Sequence, residues 1–485
     1  MALDPYIVQN IWEPCAKEFY RRQFHEMILM EKAHGIMLAR QGLLEAEDYR
    51  LLADGLDQVE ETLREEDIHG EYNDLYFNLT RKLYDIVSEE KGCLLHVGRS
   101  RNDMECACNR MQIRRELLDL LEQLGEVMET LLDVAEQNVD TVIAFFTFGQ
   151  PAQPGTYAHY LMLAFDLFAR DCTRLRAAYQ NTNRSPMGAA AGIGTSFPLD
   201  PKLISELLGF DAVIENSLDA VSSPDYLLEV EADTAIMASN LSKIAQDLFH
   251  WASQEYHILD CDGAIATTSS IMPQKKNPTC FERMRAQSGR AAGMLAEAMA
   301  LSRNTTLFPS MEATIDMFYV FGFAMEETRK ALGLLQVGLR HSQIRRDVAR
   351  TFARDSFTGA TAMAEYLSQT YQIPFAETHR ILHGMIDRLT AEKGGARIRD
   401  LTGALLAEVT GELLDKPIVM TDVEVQHLLE PEFCLEQKLT GGTPKYRDTI
   451  QLIEKNRAVL HDLRAWLEET EGRIQSAYAQ VRQGL

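Results

Sequence analysis

The stretch LLDLLEQLGEVMETLLDVA, residues 117–135, indicates the architecture of this chain. Its apolar positions recur at alternating steps of four and three residues, which places them on one stripe of an α-helix: Leu117, Leu121, Leu124, Met128, Leu131 and Ala135. A second stripe of this kind runs through Val230, Thr234, Met237, Leu241, Ile244, Leu248 and Trp251. We interpret both stripes as core packing, without a chemical role.

Further helical stretches are predicted near 157–179, 281–300 and 317–339. Together with the two stripes they predict an all-α bundle of long helices and argue against alternating βαβ units. Residues 318–325 are apolar around most of the helix, so we expect burial on more than one side and infer a helical oligomer.

Length and charge restrict the class of protein. The 485 residues are enough for about three domains, and the net charge of −24 disfavours binding to nucleic acid or to an anionic membrane. No apolar run reaches transmembrane length and the start lacks a secretory pattern, so we expect a soluble, cytoplasmic protein. The eight cysteines are scattered, which favours buried reduced thiols over a disulfide framework.

The run TSSIMPQKKNP, residues 268–278, carries the clearest chemical signal. Its two prolines predict a loop, and its two lysines give Ser269 and Ser270 a positive surrounding without an acidic residue in the run. Positive potential favours an alkoxide or an anionic substrate. The alternative is a solvated connector whose lysines face water.

Two other segments carry anion-binding chemistry. Residues 96–103 read HVGRSRND ahead of the first long stripe, where guanidinium groups and free backbone N–H donors at a helix start can bind an anion. The alternative for this segment is a helix cap with solvated arginines. Residues 147–154 read TFGQPAQP, and Thr147 and Gln150 can each donate a hydrogen bond to a carboxylate.

All three segments resemble motifs of the fumarase/aspartase superfamily, and the IMPQKKNP core is most similar to argininosuccinate lyase. The resemblance extends from residues 31–34 to 441–443. It implies a three-part chain with an N-terminal helical domain over 1–103, a central bundle over 104–354 with its catalytic loop near 264–279, and a C-terminal helical domain over 355–485. It also implies a homotetramer with a twenty-helix core and active sites shared between subunits.

The resemblance further implies elimination of fumarate from an N-succinyl compound. Ser269 would be the base, Lys275 and Asn277 would stabilise the carbanion, and Glu282 would orient the loop lysine, with His96 lining the same pocket as a catalytic group. The expected substrate-binding residues are Ser100, Arg101, Asn102, Thr147, Gln150, Ser270 and Met272. Neither a metal nor an organic cofactor is implied.

Several positions depart from the argininosuccinate lyase pattern. Phe148 stands where the family has a histidine that is given a role in proton delivery. His96, His69 or His159 would have to take over this role, or the leaving amine would need less assistance from a proton donor. Thr268 replaces a glycine, Met30-Glu31 replaces Gly-Ser, and Ser223-Pro224-Asp225 replaces Asp-Arg-Asp. In 303–311, RNTTLFPSM, the tyrosine, glutamine and lysine of the family are gone. We therefore expect an amine other than arginine.

Three other functions remain open. The chain could be an argininosuccinate lyase with a rebuilt amine site, an inactive structural or regulatory paralogue, or a cycloisomerase that forms a lactone. Phe148 favours the inactive paralogue, whereas Ser269, Lys275 and Asn277 argue against it.

Overall fold

The computed structural model describes residues 3–393 and 398–485, and most of them are helical. The α-helices are Pro5–Ile7 (α1), Glu13–Arg40 (α2), Ala46–Thr62 (α3), Leu75–Val87 (α4), Glu89–Gly92 (α5), Arg101–Glu136 (α6), Tyr157–Thr182 (α7), Pro201–Leu207 (α8), Ser217–Ser222 (α9), Asp225–Trp251 (α10), Thr279–Ser302 (α11), Met317–Arg340 (α12), Arg346–Asp355 (α13), Ala360–Tyr371 (α14), Phe375–Lys393 (α15), Gly403–Leu414 (α16), Asp422–Leu428 (α17), Pro431–Glu436 (α18) and Tyr446–Gln483 (α19). The prediction of a mostly helical chain is confirmed.

Short strands supplement the helices, so the all-α prediction is incomplete. They are Val142–Thr147 (β1), Gln150–Thr156 (β2), Arg184–Ser185 (β3), Ala212–Val213 (β4), Leu259–Cys261 (β5), Thr267–Thr268 (β6), Lys276–Asn277 (β7) and Ser342–Ile344 (β8). In the described residues they form the two-stranded pairs β1-β2, β3-β4, β5-β8 and β6-β7, of which only β3-β4 is parallel. Most are too short to leave an alternating pattern in the sequence.

Five long helices, α6, α7, α10, α11 and α12, pack against one another as a bundle. Every apolar position of the two predicted stripes is buried in α6 or α10. Helix α12 packs on α6, α10 and α11, so most of 318–325 is buried by the same chain. In that segment Phe323 has 40% of its surface exposed and Tyr319 is half-buried, so these two side chains are left for contacts outside the chain.

The bundle has two distinct ends. Helices α6 and α12 run parallel, because Asn109 donates to the carbonyl of Thr314 and Arg340 donates to Thr130 further along both helices. Helix α11 runs antiparallel to α12, since the thiol of Cys280 at its start donates to the Leu334 carbonyl. We call the end at which α6 begins the Ser100 end, and the end with the β1-β2 hairpin the hairpin end.

Helix α19 returns to the main body of the chain. Its buried residues join the large core formed by residues between 15 and 349, whereas residues between 363 and 429 form a separate apolar cluster. The fully buried Arg114 of α6 donates to Asn183, to the Leu208 carbonyl and to the Tyr478 hydroxyl of α19. The domain limits at 103 and 354 stay predictions.

The burial of the cysteines and the apolar length of the helices can be compared with the expectations from the sequence. Seven of the eight cysteines are buried, and all are free, but Cys93 is exposed, so the expectation of uniformly buried thiols is wrong at that position. Among the described residues no helix is long and apolar enough to cross a membrane.

Candidate active site

Ser100 begins α6 and fixes the geometry of the anion-binding segment. Its hydroxyl accepts a hydrogen bond from the backbone N–H of Asn102, and its own backbone N–H donates to the carboxylate of Asp103. This reciprocal arrangement is a capping box at the start of a 36-residue helix. The first turn of this helix carries the positive end of the helix dipole. The helix cap and the anion site, which were alternatives in the sequence, are compatible in the structure.

The two arginines of this segment have different roles. Arg99 is buried and pairs with Glu31 of α2 over 2.6 Å, and its second nitrogen contacts the sulfur of Met30. Met30 and Glu31, which depart from the family pattern, thus hold the Arg99 guanidinium in the interior of the chain. Arg101 is 41% exposed, lies over the Phe77 ring and pairs with Asp74, so it is the cation available at the surface.

Asp103 ties this helix start to the glycine-rich segment 188–194. Its carboxylate accepts from the backbone N–H groups of Ala190 at 2.9 Å and Gly188 at 3.3 Å, in addition to Ser100. Burial raises the pKa of Asp103 to about 6, although these three backbone donors act in the opposite direction. The carboxylate thus holds a loop against the Ser100 end.

His96 is exposed beside the same segment. Its Nδ1 lies 2.8 Å from the hydroxyl of Tyr76, which fixes the ring and leaves Nε2 available. Surrounding protein atoms displace water from the ring and Arg99 adds a nearby positive charge, and both lower the pKa of His96. The neutral imidazole is therefore favoured near pH 7.

The two other histidines considered as replacements lie in different places. His69 is exposed and meets the edge of Tyr72. His159, in α7, stacks on Phe145 and lines a cavity of about 530 Å³ under the β1-β2 hairpin. Its Nδ1 is buried without a hydrogen-bond partner among the described residues, and burial lowers its pKa. His96 is the only one of the three in the HVGRSRND segment.

The segment 303–311 follows α11 and also lies at the Ser100 end. Leu307 is 80% exposed and Phe308 is 62% exposed, and Met311 is exposed as well. The structure therefore presents apolar side chains where the family pattern has polar contacts to substrate.

Thr147 and Gln150 face each other at the tip of the β1-β2 hairpin. The two residues between them, Phe148 and Gly149, have φ angles of 52° and 75°. Positive φ at both central residues is typical of a type I′ turn, which matches the twist of the flanking strands. Glycine adopts this conformation freely, whereas a side chain such as that of Phe148 costs about 1–2 kcal/mol there.

The predicted catalytic loop is itself a small hairpin. Thr268 pairs with Lys276 and Thr267 with Asn277, so residues 269–275 form the connection. The Ser269 hydroxyl accepts from the backbone N–H groups of Met272 at 3.0 Å and Ile271 at 3.3 Å. Thr268, which stands where the family has a glycine, is thus held in a strand pair.

Lys275 and Lys276 differ in their contacts. Lys276 pairs with Asp260 at 3.4 Å, and Asp260 also accepts from Arg345. Lys275 is exposed and has no described ion pair, and it lines, together with Lys276 and Asn277, a cavity of about 600 Å³ beside the loop. Glu282 is exposed on the first turn of α11, and no described contact joins it to Lys275, so its orienting role stays a prediction.

One chain does not bring all the predicted site residues together. Ser100, Arg101, Asn102 and His96 lie at the Ser100 end, whereas Thr147, Gln150, Ser269, Ser270, Met272, Lys275 and Asn277 lie at the hairpin end. A rise of 1.5 Å per residue makes the 36-residue α6 about 50 Å long, which is the approximate separation of the two groups.

Sequence reasoning missed three residues that organise the Ser100 end, Glu31, Asp74 and Tyr76, and considered Asp103 only as a helix cap. Asp74 could have been found, because it precedes an apolar helical run and caps α4. Asp103 also fits a capping box with Ser100. The contacts of Glu31 with Arg99 and of Tyr76 with His96 could not be read from a local sequence pattern, because the partners are distant in sequence.

Comparisons with known proteins identify relatives of this chain in sequence and in fold. A family model described as Lyase matches residues 17–293. Argininosuccinate lyase of Methanococcoides burtonii is 34% identical over 468 residues, covering 94% of this chain and 92% of the relative. A variant of EDDS lyase with bound fumarate has a TM-score of 0.88 and 26% identity, covering 100% of this chain and 95% of that one.

A more distant structure, the 3-carboxy-cis,cis-muconate lactonizing enzyme of Pseudomonas putida, has a TM-score of 0.73 and 18% identity, with coverage of 93% and 100%. That likeness concerns the fold alone. The resemblance inferred from the three motifs is confirmed. The chain belongs to the fumarase/aspartase superfamily of lyases and is similar in sequence to the argininosuccinate lyases.

Proposed function

We propose that this protein is a carbon–nitrogen lyase that releases fumarate from an N-succinyl amine or amino acid other than argininosuccinate, or adds the amine to fumarate in reverse. The observation that carries the proposal is the hairpin loop of a superfamily lyase that presents Ser269, Lys275 and Asn277 without an acidic residue. The fumarate bound to the similar EDDS lyase variant is consistent with this product.

The chemistry follows from the groups available. Elimination requires removal of a weakly acidic Cβ proton and stabilisation of the dianionic aci-carboxylate that results. The Ser269 hydroxyl loses its proton to solvent in the positive surrounding of the loop, and the alkoxide takes the Cβ proton while Lys275 and Asn277 stabilise the developing charge. The electron pair of the carbanion then forms the C=C bond of fumarate as the C–N bond breaks, and the amine leaves with a proton from solvent. Ser100, Arg101, Asn102, Thr147 and Gln150 hold the two carboxylates, while Ser270 and Met272 complete the loop side.

The amine side supports a substrate other than argininosuccinate. Residues 303–311 contain no acidic side chain, and Leu307 and Phe308 project into solvent there. A guanidinium group placed against these side chains loses its hydrogen bonds to water without replacement.

Argininosuccinate lyase is the second candidate. Identity of 34% over 94% of the chain with a relative of that name favours it. Under this alternative, Arg303, Asn304 and other polar groups rebuild the substrate contacts.

The proposed site is shared between copies of the chain. Because about 50 Å separates Ser100 from the hairpin end, a site that uses Arg101 together with Ser269 requires more than one copy. A homotetramer with a twenty-helix core, as in the family, would supply them.

The test is fumarate formation or consumption, followed by ultraviolet absorbance. Purified protein is given argininosuccinate, and separately fumarate with a panel of amines and amino acids. We expect amine-dependent loss of fumarate and little turnover of argininosuccinate, with all activity lost in Ser269→Ala. Ser476→Ala, which changes an exposed serine of α19, is the matched control. Ordinary turnover of argininosuccinate would instead establish the second candidate.

A further inference from the structure

The tip of the β1-β2 hairpin places an aromatic side chain in an unfavourable position. Phe148 is 105% exposed, more than any other large apolar residue described, and its φ angle of 52° lies in the left-handed region. Neither property helps the isolated chain, because a bulky residue disfavours this backbone conformation and an exposed ring gains nothing from burial.

Asparagine or glycine would form the same turn with less strain. The pairing of Thr147 with Gln150 fixes the turn at two residues, and Asn-Gly is the preferred sequence for such a hairpin. A strained residue at a site that the surrounding strands hold in place points to a role outside its own fold.

The flanking residues limit what this role is. Thr147 and Gln150, on both sides of the turn, are the carboxylate contacts of the proposed site. The Phe148 ring is exposed at the turn between these two residues, so a substrate that they bind would lie within its reach. Phenylalanine has no proton to transfer, so its contribution is an apolar surface.

Two other segments of the proposed site, 268–278 and 303–311, also expose apolar side chains. Ile271 of the loop is 82% exposed, and Leu307 and Phe308 project at the Ser100 end. The segments 147–150, 268–278 and 303–311 contain no aspartate or glutamate that could pair with a cationic group. Exposed apolar side chains thus recur at each segment, and none of the segments supplies a carboxylate of its own, although Asp260 outside the loop pairs with Lys276.

We infer that Phe148 is a specificity-determining residue that contacts the amine half of the substrate and selects an amine with an apolar side group, in a site completed by a second copy of the chain. This inference rests on the proposed function and names its substrate class. Leu307 and Phe308 of a different copy form the opposite side of the same apolar surface.

The experiment measures kcat/KM for addition of amines to fumarate. The panel contains leucine and phenylalanine, their polar counterparts asparagine and arginine, and ammonia as an amine without a side group. The variants are Phe148→Ala and Phe148→Asn. Phe375→Ala is the control, because Phe375 is 48% exposed on α15, away from the hairpin.

We expect the wild-type protein to prefer leucine or phenylalanine over its polar counterpart by roughly tenfold or more. Both Phe148 variants should lose roughly tenfold to a hundredfold with the apolar amines and retain ammonia activity within about threefold. Phe148→Asn should also have an unchanged or higher melting temperature, because asparagine tolerates positive φ. Phe375→Ala should match the wild type with every amine.

An equal loss with all amines would overturn the inference and assign Phe148 to the chemical step or to folding, and a lower melting temperature of Phe148→Asn would identify the folding role. Unchanged activity with every amine would show that the ring does not meet the substrate. If the wild-type protein uses amines without any preference for apolar groups, this inference alone fails. If it uses none of them, the proposed function fails as well.

Discussion

Lys275 and Lys276 are neighbours in sequence with different surroundings. Lys276 is held by Asp260, a surface pair of the kind that contributes about 0–1 kcal/mol to stability. Lys275 lines the cavity beside the loop with Asn277. Lys276 lines the same cavity, so the difference between the two lysines is the pairing of Lys276 with Asp260, whereas no described carboxylate pairs with Lys275. We therefore expect Lys275 to be the lysine that stabilises the carbanion.

This difference predicts the effect of replacing each lysine. Lys275→Ala should lower kcat/KM by about 10²–10³, since it removes a charge that the transition state requires. Lys276→Ala should stay within about tenfold of the wild type, because only a solvated ion pair is lost. Steady-state rates of fumarate formation measure both, and each variant is the control of the other. Equal losses would contradict separate roles.

Glu231 is a buried carboxyl that no part of the proposed chemistry uses. It is 0% exposed in α10, and both its oxygens lack hydrogen-bond partners among the described residues. Burial, together with the charge of Glu297, raises its pKa from 4.5 to about 8.

The raised pKa predicts how stability depends on pH. Because the folded carboxyl keeps its proton to higher pH than the unfolded one, the free energy of unfolding should fall between pH 4.5 and about 8. Glu231→Gln removes this ionisation and should raise that free energy above pH 8, by on the order of 3 kcal/mol. Denaturant unfolding at several pH values measures it, with exposed Glu468→Gln as control. No difference between the two variants would indicate that a cation from another copy pairs with Glu231.

At the scale of elements, the contact between α6 and the segment 188–194 depends on one carboxylate. Asp103 accepts three backbone hydrogen bonds that no other described side chain provides. Without it, the N–H groups of Ala190 and Gly188 lose their acceptor and the capping box of α6 is lost.

Asp103→Ala should therefore lower the free energy of unfolding by about 2–3 kcal/mol. It should also raise KM more than it lowers kcat, because Ser100 and Arg101 are held less firmly for binding. Thermal unfolding and steady-state kinetics test the two effects. Asp347→Ala, at an exposed acid in the first turn of α13, should change neither. A lower kcat at constant KM would assign Asp103 to the chemical step instead.

The sequence predicted the long helices well because their apolar stripes repeat with the period of the helix itself. The three candidate segments could be singled out because each is contiguous in sequence; their roles stay predictions. It did not predict the buried pair of Arg99 and Glu31, whose members are far apart in the chain. The β1-β2 hairpin was also missed, since Pro151 and Pro154 in the second strand oppose a strand prediction and a register shift at Phe145 and Phe146 breaks the alternation.

For the whole molecule, the separation of the two ends predicts complementation between inactive variants. Arg101→Ala disables the Ser100 end and Ser269→Ala disables the hairpin end. In mixed assemblies some sites would draw both native segments from different copies, up to about a quarter of the total for random mixing. We therefore expect activity to return when the two proteins are unfolded and refolded together.

The measurement is the fumarate rate after co-refolding, compared with each variant refolded alone. Lys275→Ala mixed with Ser269→Ala is the matched control, because both changes lie in the same loop and no mixture restores it. Failure of the first pair to recover activity, with native assembly demonstrated by sedimentation, would contradict the shared site.

Helix α19 also determines when the fold can be completed during synthesis. Ile453, Leu460, Leu463, Leu467 and Ile474 close the core over α6 and α7, and Tyr478 satisfies the buried Arg114. Until these residues leave the ribosome, the nascent bundle exposes an apolar groove and a guanidinium without its last acceptor. Chains arrested before residue 446 should therefore be retained by chaperones or aggregate, and assembly can begin only after α19 has left the ribosome.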